Sequence, residues 1–284
     1  MQLIAIDLDG TLLSSDGTIS TGNRQAIRDA QSLGHIVVIS SGRSLHDTKE
    51  LLDHAGLDCP IITGNGAVAF HSGEVIQHLQ LPVHISEEMM ELAERYHLYY
   101  EVYTNEGVYI EENGRNFLEQ EARQLYEKTG KPEPDEAAYI IDTQHKQRGL
   151  SYVPNYRSID YDNLGVYKIF VLTFDPEKLK NLRQELSGRV DISITTSGVQ
   201  KLEVGNPQST KGNALSFIAD YFGVSPSETV AIGDNLNDLS MFEVAGTSIA
   251  MENAELEVKE AADHMTKDHN QDGVAYGLYK WVLT

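Results

Sequence analysis

Short apolar runs alternate with helical patterns at both ends of the chain, and this alternation limits the folds that the chain can adopt. Near the N-terminus, LIAI and HIVVIS flank residues 21–33, where apolar side chains recur on one helical face. The last 75 residues repeat the pattern, with TVAIG and TSIAM between helical segments. Strands that alternate with helices form a parallel sheet covered on both faces. We therefore predict an α/β fold for the two ends of the chain.

The middle of the chain has a different pattern, in which eleven of the fourteen tyrosines fall between Tyr96 and Tyr167. Amphipathic strand patterns such as LYYEVYT and QKLEV alternate here with helices that start near Ser86 and Pro176. These features predict an antiparallel sheet with helices on one face. The GKPEPDEAAY segment is predicted to be a surface loop, and residues 144–163 fit no element.

The two patterns divide the chain into a discontinuous core and an insertion. We predict a Rossmann-like parallel-sheet core from residues 1–82 and 205–284, with an inserted α+β domain from residues 83–204. Access to a site on the core is expected to depend on this inserted domain, which is large enough to cover it.

The charge of the chain restricts its partners. Its 43 acidic and 22 basic side chains give a net charge of −21, which repels nucleic-acid phosphates. An anionic substrate therefore needs a local cation. We expect no membrane span and no secretory signal, and the single Cys59 fits a reducing cytoplasmic setting. The predicted state is a monomer or a weak homo-oligomer.

Four short polar segments lie at strand ends or helix starts. They are DLDGT (7–11), SSGR (40–43), STKG (209–212) and GDNLND (233–238). Each alone has an ordinary explanation as a helix cap, a turn or a solvated charge. In a parallel sheet, however, the carboxyl ends of the strands meet at one edge, where ligands bind. The four segments are therefore expected to form one site of carboxylates, a hydroxyl and a lysine.

This combination resembles the haloacid dehalogenase superfamily of phosphohydrolases, whose four motifs it matches in order. The insertion between the second and third motifs, together with ITGNGA (62–67) and EVGNPQSTKG (203–212), resembles the Cof-like subfamily with its C2-type α/β cap. The resemblance implies a Mg²⁺-dependent phosphatase of small phosphorylated metabolites, such as sugar phosphates or phosphorylated cofactors. It also implies an aspartyl-phosphate intermediate, which splits one slow hydrolysis into two easier steps.

The resemblance further implies individual roles. Asp7 is the expected nucleophile and a Mg²⁺ ligand, while Asp9 is the expected general acid and base, with its backbone carbonyl on the metal. Asp234 is expected to bind the metal directly, and Asp238 directly or through water. Lys211 is expected to bridge the nucleophile and the phosphate, as the local cation that the charge requires.

Phosphate or substrate binding is assigned to residues from all four segments: Leu8, Ser41, Gly42, Arg43, Lys211 and Asn237. The second motif more often carries Thr, and here Ser41 supplies the hydroxyl. Arg43 and Asn65 lie at neighbouring strand ends, where each is expected either to contact the substrate or to fix the loops or the cap.

Two other functions fit the same motifs. A phosphosugar mutase shares the first motif and a similar cap, and a non-catalytic phospho-ligand sensor would keep the fold without turnover. The complete set of acid, base, lysine and metal residues argues against the sensor, whereas the mutase is separated from the phosphatase by the product formed from a hexose 1-phosphate.

Overall fold

A computed structural model of the chain describes residues 1–283, which form two compact units. One unit contains Met1–His78 and the segment that starts at Gln208, and the other contains Leu79–Pro207. The domain limits drawn from the sequence, at residues 82/83 and 204/205, stay a prediction at that level of detail. None of the helices in the described range is both long and apolar enough to cross a bilayer.

Strands and helices alternate in the first unit, as the sequence predicts. The elements of both units are numbered together in chain order. The strands are β1 (Leu3–Asp7), β2 (Ile36–Ser40), β3 (Ile61–Thr63), β4 (Val68–His71), β5 (Glu74–His78), β6 (Tyr99–Thr104), β7 (Gly107–Glu111), β8 (Leu150–Val153), β9 (Lys168–Leu172), β10 (Ser193–Thr195), β11 (Lys201–Gly205), β12 (Thr229–Gly233), β13 (Thr247–Ala250) and β14 (His264–Met265). The helices are α1 (Thr21–Ser32), α2 (Leu45–Ala55), α3 (Val83–Arg95), α4 (Gly114–Thr129), α5 (Pro134–His145), α6 (Tyr161–Leu164), α7 (Pro176–Leu186), α8 (Lys211–Phe222), α9 (Leu239–Val244), α10 (Leu256–Ala261) and α11 (Gly273–Trp281).

The sheet of the first unit has the strand order β14-β13-β12-β1-β2-β3-β4-β5. Strands β14 to β3 in this order pair in parallel, and β4 and β5 add an antiparallel hairpin at one edge. In β1, Ile4 pairs with Val230 on one side and Val37 on the other, and every residue of the strand is buried. A strand buried on both faces needs a continuous apolar run, which explains LIAI. The predicted α/β fold is confirmed.

Local signals define where the helices of this unit begin and end. The Ser44 side chain accepts a hydrogen bond from the Asp47 amide at the start of α2, and Gly56 ends that helix with a φ of +62°. The Thr210 side chain caps α8 in the same way, through the Asn213 amide. These caps place the polar segments directly before helices.

The sheet of the second unit has the order β10-β11-β9-β6-β7-β8. Its pairs are antiparallel except for β7 and β8, which are parallel, so the predicted all-antiparallel sheet is wrong at this edge. Tyr100 and Val102 share a core with Met89 of α3 and Leu182 of α7. Tyr99 points to the opposite face and contacts Gly114 of α4, so helices lie on both faces rather than on one.

Two further segments of this unit differ from the sequence prediction. The GKPEPDEAAY stretch is not only a loop, because α5 begins at Pro134, which occupies the first turn. Proline is well accommodated at that position because its missing N–H is not needed there. Residues 144–163, which fit no element in the sequence, contain the end of α5, β8, a short 3₁₀ turn at Tyr156–Ser158 and most of α6.

Candidate active site

The four polar segments meet along one edge of the core sheet. Strands β12, β1, β2 and β3 are consecutive neighbours and run in parallel, so the loops that follow them leave the sheet at the same edge. Asp7 ends β1 and Ser40 ends β2, while Asp234 directly follows β12. The fourth segment, STKG, starts α8 and joins the group through Lys211.

Three carboxylates of this group are in close proximity. One oxygen each of Asp7, Asp234 and Asp238 lies within 4.8 Å of the others. Asp238 is fully buried, and its Oδ2 accepts hydrogen bonds of 3.0 Å from the amides of Asp234 and Asn235. The Thr11 hydroxyl donates to Asp234 Oδ1 at 2.9 Å. The hydrogen bonds fix two of the three carboxylates before any ligand arrives.

Lys211 is the cation that offsets this buried negative charge. Its side chain is 1% exposed, and Nζ lies 2.5 Å from Asp7 Oδ1 and 2.6 Å from Asp238 Oδ1. Burial opposes the charged form of Lys211, but Asp238 and Asp7 raise its pKa above the ordinary value. Lys211 is therefore held as an ammonium ion beside the predicted nucleophile.

Lys211 alone does not neutralise the negative charge of the three carboxylates. Burial raises the pKa of Asp7 well above its ordinary value, Asp238 raises it further, and Lys211 acts in the opposite direction. Burial and the neighbouring Asp238 raise the pKa of Asp234 to about 6. Further positive charge at this position would favour the ionised form of both groups.

The donor set fits a hard divalent cation. Asp7 Oδ1 accepts from Lys211, whereas Asp7 Oδ2 is buried and has no hydrogen-bond partner among residues 1–283. A buried carboxylate oxygen without a partner is costly, and a cation removes that cost. The three clustered side chains offer carboxylate oxygens, which Mg²⁺ prefers over nitrogen or sulfur. The contribution predicted for the Asp9 backbone carbonyl stays a prediction.

The Asp9 side chain is exposed and pairs with Arg43. Arg43 Nε donates to Asp9 Oδ2 at 2.8 Å and Nη2 donates to Asp9 Oδ1 at 2.6 Å, a two-pronged ion pair. Nη1 of the same guanidinium donates to buried Asp47 Oδ2 at 2.6 Å. Of the two roles expected for Arg43, the described geometry therefore supports fixing a loop, because Arg43 links the first and second segments.

The predicted phosphate-binding residues lie around the same edge. Ser41 is fully buried, and its Oγ accepts from the Arg43 amide at 3.1 Å, which leaves the hydroxyl hydrogen to donate elsewhere. The Leu8 side chain is buried in the apolar core, so any contact that Leu8 makes with a phosphate has to come from its backbone. Asn237 is half-buried and donates to Asn65 Oδ1 at 3.1 Å.

Three residues in the site received no role from the sequence. Thr11 lies in the first motif and orients Asp234, and Asp47 lies four residues after Arg43 on α2, a spacing that indicates an ion pair. The side-chain amide of Asn253 donates through Nδ2 to the Gly10 carbonyl at 2.7 Å and so supports the loop that carries Asp9. No local pattern points to Asn253, because its partner lies 243 residues away in the chain.

With this geometry established, comparison with known proteins identifies the family. The family model for haloacid dehalogenase-like hydrolases matches residues 4–278. The chain belongs to the haloacid dehalogenase-like hydrolases. This confirms the resemblance seen in the four motifs, and together with relatives that are named as phosphatases it makes the protein a phosphatase of that superfamily.

Individual relatives of this haloacid dehalogenase-like hydrolase match over nearly their whole length. The chain is 38% identical over 277 residues to the 5-amino-6-(5-phospho-D-ribitylamino)uracil phosphatase YwtE of Bacillus subtilis (strain 168), covering 97% of this chain and 96% of that protein. It is 33% identical over 281 residues to the phosphatase YwpJ of the same organism, covering 97% and 98%. A solved haloacid dehalogenase-like hydrolase from B. subtilis superposes with a TM-score of 0.88 at 31% identity, covering 99% of this chain and 100% of that one.

Proposed function

We propose that this hydrolase is a Mg²⁺-dependent phosphatase of small phosphorylated metabolites that works through a phosphorylated Asp7. The observation that carries the proposal is the pairing of Asp7 with both Lys211 and the acidic cluster of Asp234 and Asp238. Two anions, a carboxylate and a phosphate, approach each other only when cations neutralise them. A bound Mg²⁺ would supply that charge and orient both groups, and Asp7, Asp234 and Asp238 would hold it.

The proposed reaction has two chemical steps, with the roles that the family resemblance implies. In the first, an Asp7 oxygen attacks phosphorus, the bond from phosphorus to the ester oxygen breaks, and the leaving oxygen takes a proton from Asp9. In the second, water attacks the phosphorus of the aspartyl-phosphate, Asp9 accepts the water proton, and the Asp7 carboxylate is restored. Lys211 keeps Asp7 oriented and balances charge on the phosphoryl oxygens throughout.

The ion pair between Asp9 and Arg43 adds a condition to the first step. Both Asp9 oxygens accept hydrogen bonds from the guanidinium, so Asp9 can carry a proton to the leaving group only after that pair opens. A substrate phosphate is a competing anion for Arg43. Substrate binding would thus release the general acid at the point where it is needed.

The proposed substrates are phosphorylated metabolites with a polar, neutral or cationic body. The relative YwtE is named for a phosphate ester on a ribityl chain attached to a uracil ring, which is a phosphorylated polyol. A chain with a net charge of −21 would disfavour polyanionic substrates away from the site cations. Sugar phosphates and phosphorylated cofactors satisfy this condition.

The test is phosphate release from p-nitrophenyl phosphate with Mg²⁺ and with EDTA. We expect turnover with Mg²⁺, loss with EDTA, and loss in Asp7→Asn. Asp53→Asn removes an exposed carboxylate of α2 and serves as the matched control with unchanged activity. Undiminished turnover by Asp7→Asn, or by wild type in EDTA, would rule out the proposed mechanism.

A second assay defines the reaction and the substrate. A hexose 1-phosphate and a ribityl phosphate are incubated with enzyme and Mg²⁺, and the products are separated by chromatography. Free phosphate with the dephosphorylated alcohol supports the phosphatase. Conversion of the 1-phosphate into the 6-phosphate would instead indicate a mutase.

A further inference from the structure

The turn at Gly64–Gly66 contains an unusual residue. Asn65 has a left-handed backbone, with φ of +56° and ψ of +35°, and its side chain is buried with 3% exposure. This conformation is unfavourable for a residue with a Cβ atom, although Asn tolerates it better than most. A glycine would relieve the strain but would lose the side chain. Strained residues of this kind cluster at functional sites, where other interactions hold them.

The backbone of this turn binds the second motif. The Asn65 amide donates to the Ser41 carbonyl at 3.2 Å, and the Gly64 amide donates to the Arg43 carbonyl at 3.1 Å. A Cβ atom on Gly42 would lie 3.0 Å from Asn65 Oδ1, so the side-chain amide of Asn65 packs directly against the loop. The turn therefore fixes the segment that is expected to hold the phosphate.

The side chain of Asn65 reaches the fourth motif. Asn237 Nδ2 donates to Asn65 Oδ1 at 3.1 Å. Asn237 Oδ1 is buried and has no hydrogen-bond partner in the described part of the chain. The bond to Asn65 thus defines the orientation of the Asn237 side-chain amide, and the second Nδ2 hydrogen is the one that can donate to a phosphate oxygen.

The same turn also contacts the third motif. A Cβ atom on Gly66 would lie 2.2 Å from the Thr210 carbonyl oxygen, so the two backbones are in direct contact just before Lys211. Only glycine fits at such a distance, and the φ of +100° at Gly66 favours glycine as well. One three-residue turn is in contact with the second, third and fourth motifs.

From these contacts we propose that Asn65 is a positioning residue of the phosphatase reaction. Its side chain orients Asn237, and its backbone N–H holds the Ser41 to Arg43 segment, so that both meet one phosphate group. The inference rests on the proposed function. It predicts that the side chain of Asn65 supports the chemistry rather than the folding of the chain.

Two substitutions at position 65 separate the role of the side chain from that of the backbone conformation. Asn65→Gly keeps the left-handed turn and removes the side-chain amide, whereas Asn65→Ala removes the side-chain amide and also strains the turn. For Asn65→Gly we expect kcat/KM on p-nitrophenyl phosphate to fall by about tenfold or more. The thermal unfolding midpoint should change little, because relief of the left-handed backbone at position 65 offsets the lost side-chain hydrogen bond. Inhibition by inorganic phosphate should weaken in parallel. Asn65→Ala should show both the kinetic loss and a lower midpoint.

A comparison variant and a double-mutant cycle make the test decisive. Ser72→Gly removes another side chain at positive φ, from the exposed turn between β4 and β5, and should change neither kcat/KM nor phosphate inhibition. If Asn65 acts through Asn237, Asn65→Gly should cost much less in Asn237→Ala than in wild type. Full kcat/KM in Asn65→Gly, or additive losses in the double variant, would overturn the inference. Absence of turnover in wild type would overturn the proposed function instead.

Discussion

Replacement of Lys211 by methionine tests the electrostatic account of the site. The substitution keeps the length of the side chain but removes the ammonium that lies 2.5 Å from Asp7 and 2.6 Å from Asp238. Removing one partner of a buried ion pair leaves uncompensated charge and costs about 3–5 kcal/mol. At about 2–4 °C per kcal/mol, the thermal midpoint of the metal-free protein should fall by about 6–20 °C.

The loss of stability in Lys211→Met should increase as the pH rises. Asp7 already has a raised pKa because of burial and Asp238, and Lys211 acts against that rise. An acid whose folded pKa is raised contributes stability that is complete below its unfolded pKa and is lost as the pH rises through the folded value. Without Lys211 the folded pKa rises further, so Lys211→Met should be close to wild type at acidic pH and far less stable at pH 8.

Thermal unfolding followed by circular dichroism at pH 5 and pH 8, in EDTA and in Mg²⁺, measures this effect. Mg²⁺ should restore part of the lost midpoint at pH 8, because it replaces the missing cation. Lys49→Met is the matched control, since Lys49 is 53% exposed and pairs loosely with Asp53 at 3.6 Å. Equal midpoints for the two variants at pH 8 would refute the reasoning.

Three further outcomes follow from the same geometry. Gly10→Ala should lose nearly all activity, because Gly10 has a φ of +80° and a Cβ atom would lie 2.4 Å from Asp234 Oδ2. Gly17→Ala should stay active in the same phosphate-release assay, because at its φ of +79° the added Cβ atom would meet no described atom within 4 Å. Burial and Asp238 raise the pKa of Asp234 to about 6, and the pKa of Asp7 is raised as well, so Mg²⁺ affinity measured by titration calorimetry should rise by at least about tenfold from pH 5 to pH 7, and a flat profile would contradict this. Arg43→Ala removes the guanidinium bonded to buried Asp47 and should cost about 1–3 kcal/mol in denaturant unfolding, which an unchanged midpoint would disprove.

The parallel core could be predicted from the sequence because its signals are local. A short apolar run such as LIAI, followed by turn residues, favours a buried strand, and Ser44 and Gly56 mark the ends of α2. Once the strands are parallel, their carboxyl ends must share an edge. This geometry brought Asp7 and Asp234 together, and Lys211 joins them from the first turn of α8.

The remaining features depend on long-range contacts or on competing signals. The start of α5 was missed because proline and acidic residues favour loops, although Pro134 is equally suited to a first helical turn. The parallel pairing of β7 with β8 cannot be inferred from the composition of either strand. The pairing of Arg43 with Asp9 also has no local signal, because it joins residues 34 positions apart.

A burst experiment with Asp9→Asn tests the central claim most directly. The leaving group of p-nitrophenyl phosphate departs without a proton, so this variant should still phosphorylate Asp7, while water attack on the intermediate loses its base. The account predicts about one equivalent of nitrophenol per enzyme in the burst, and an acid-quenched protein heavier by one phosphoryl group on the peptide that contains Asp7. A burst that persists in the double variant Asp7→Asn, Asp9→Asn, or a phosphoryl group on any other peptide, would contradict the account.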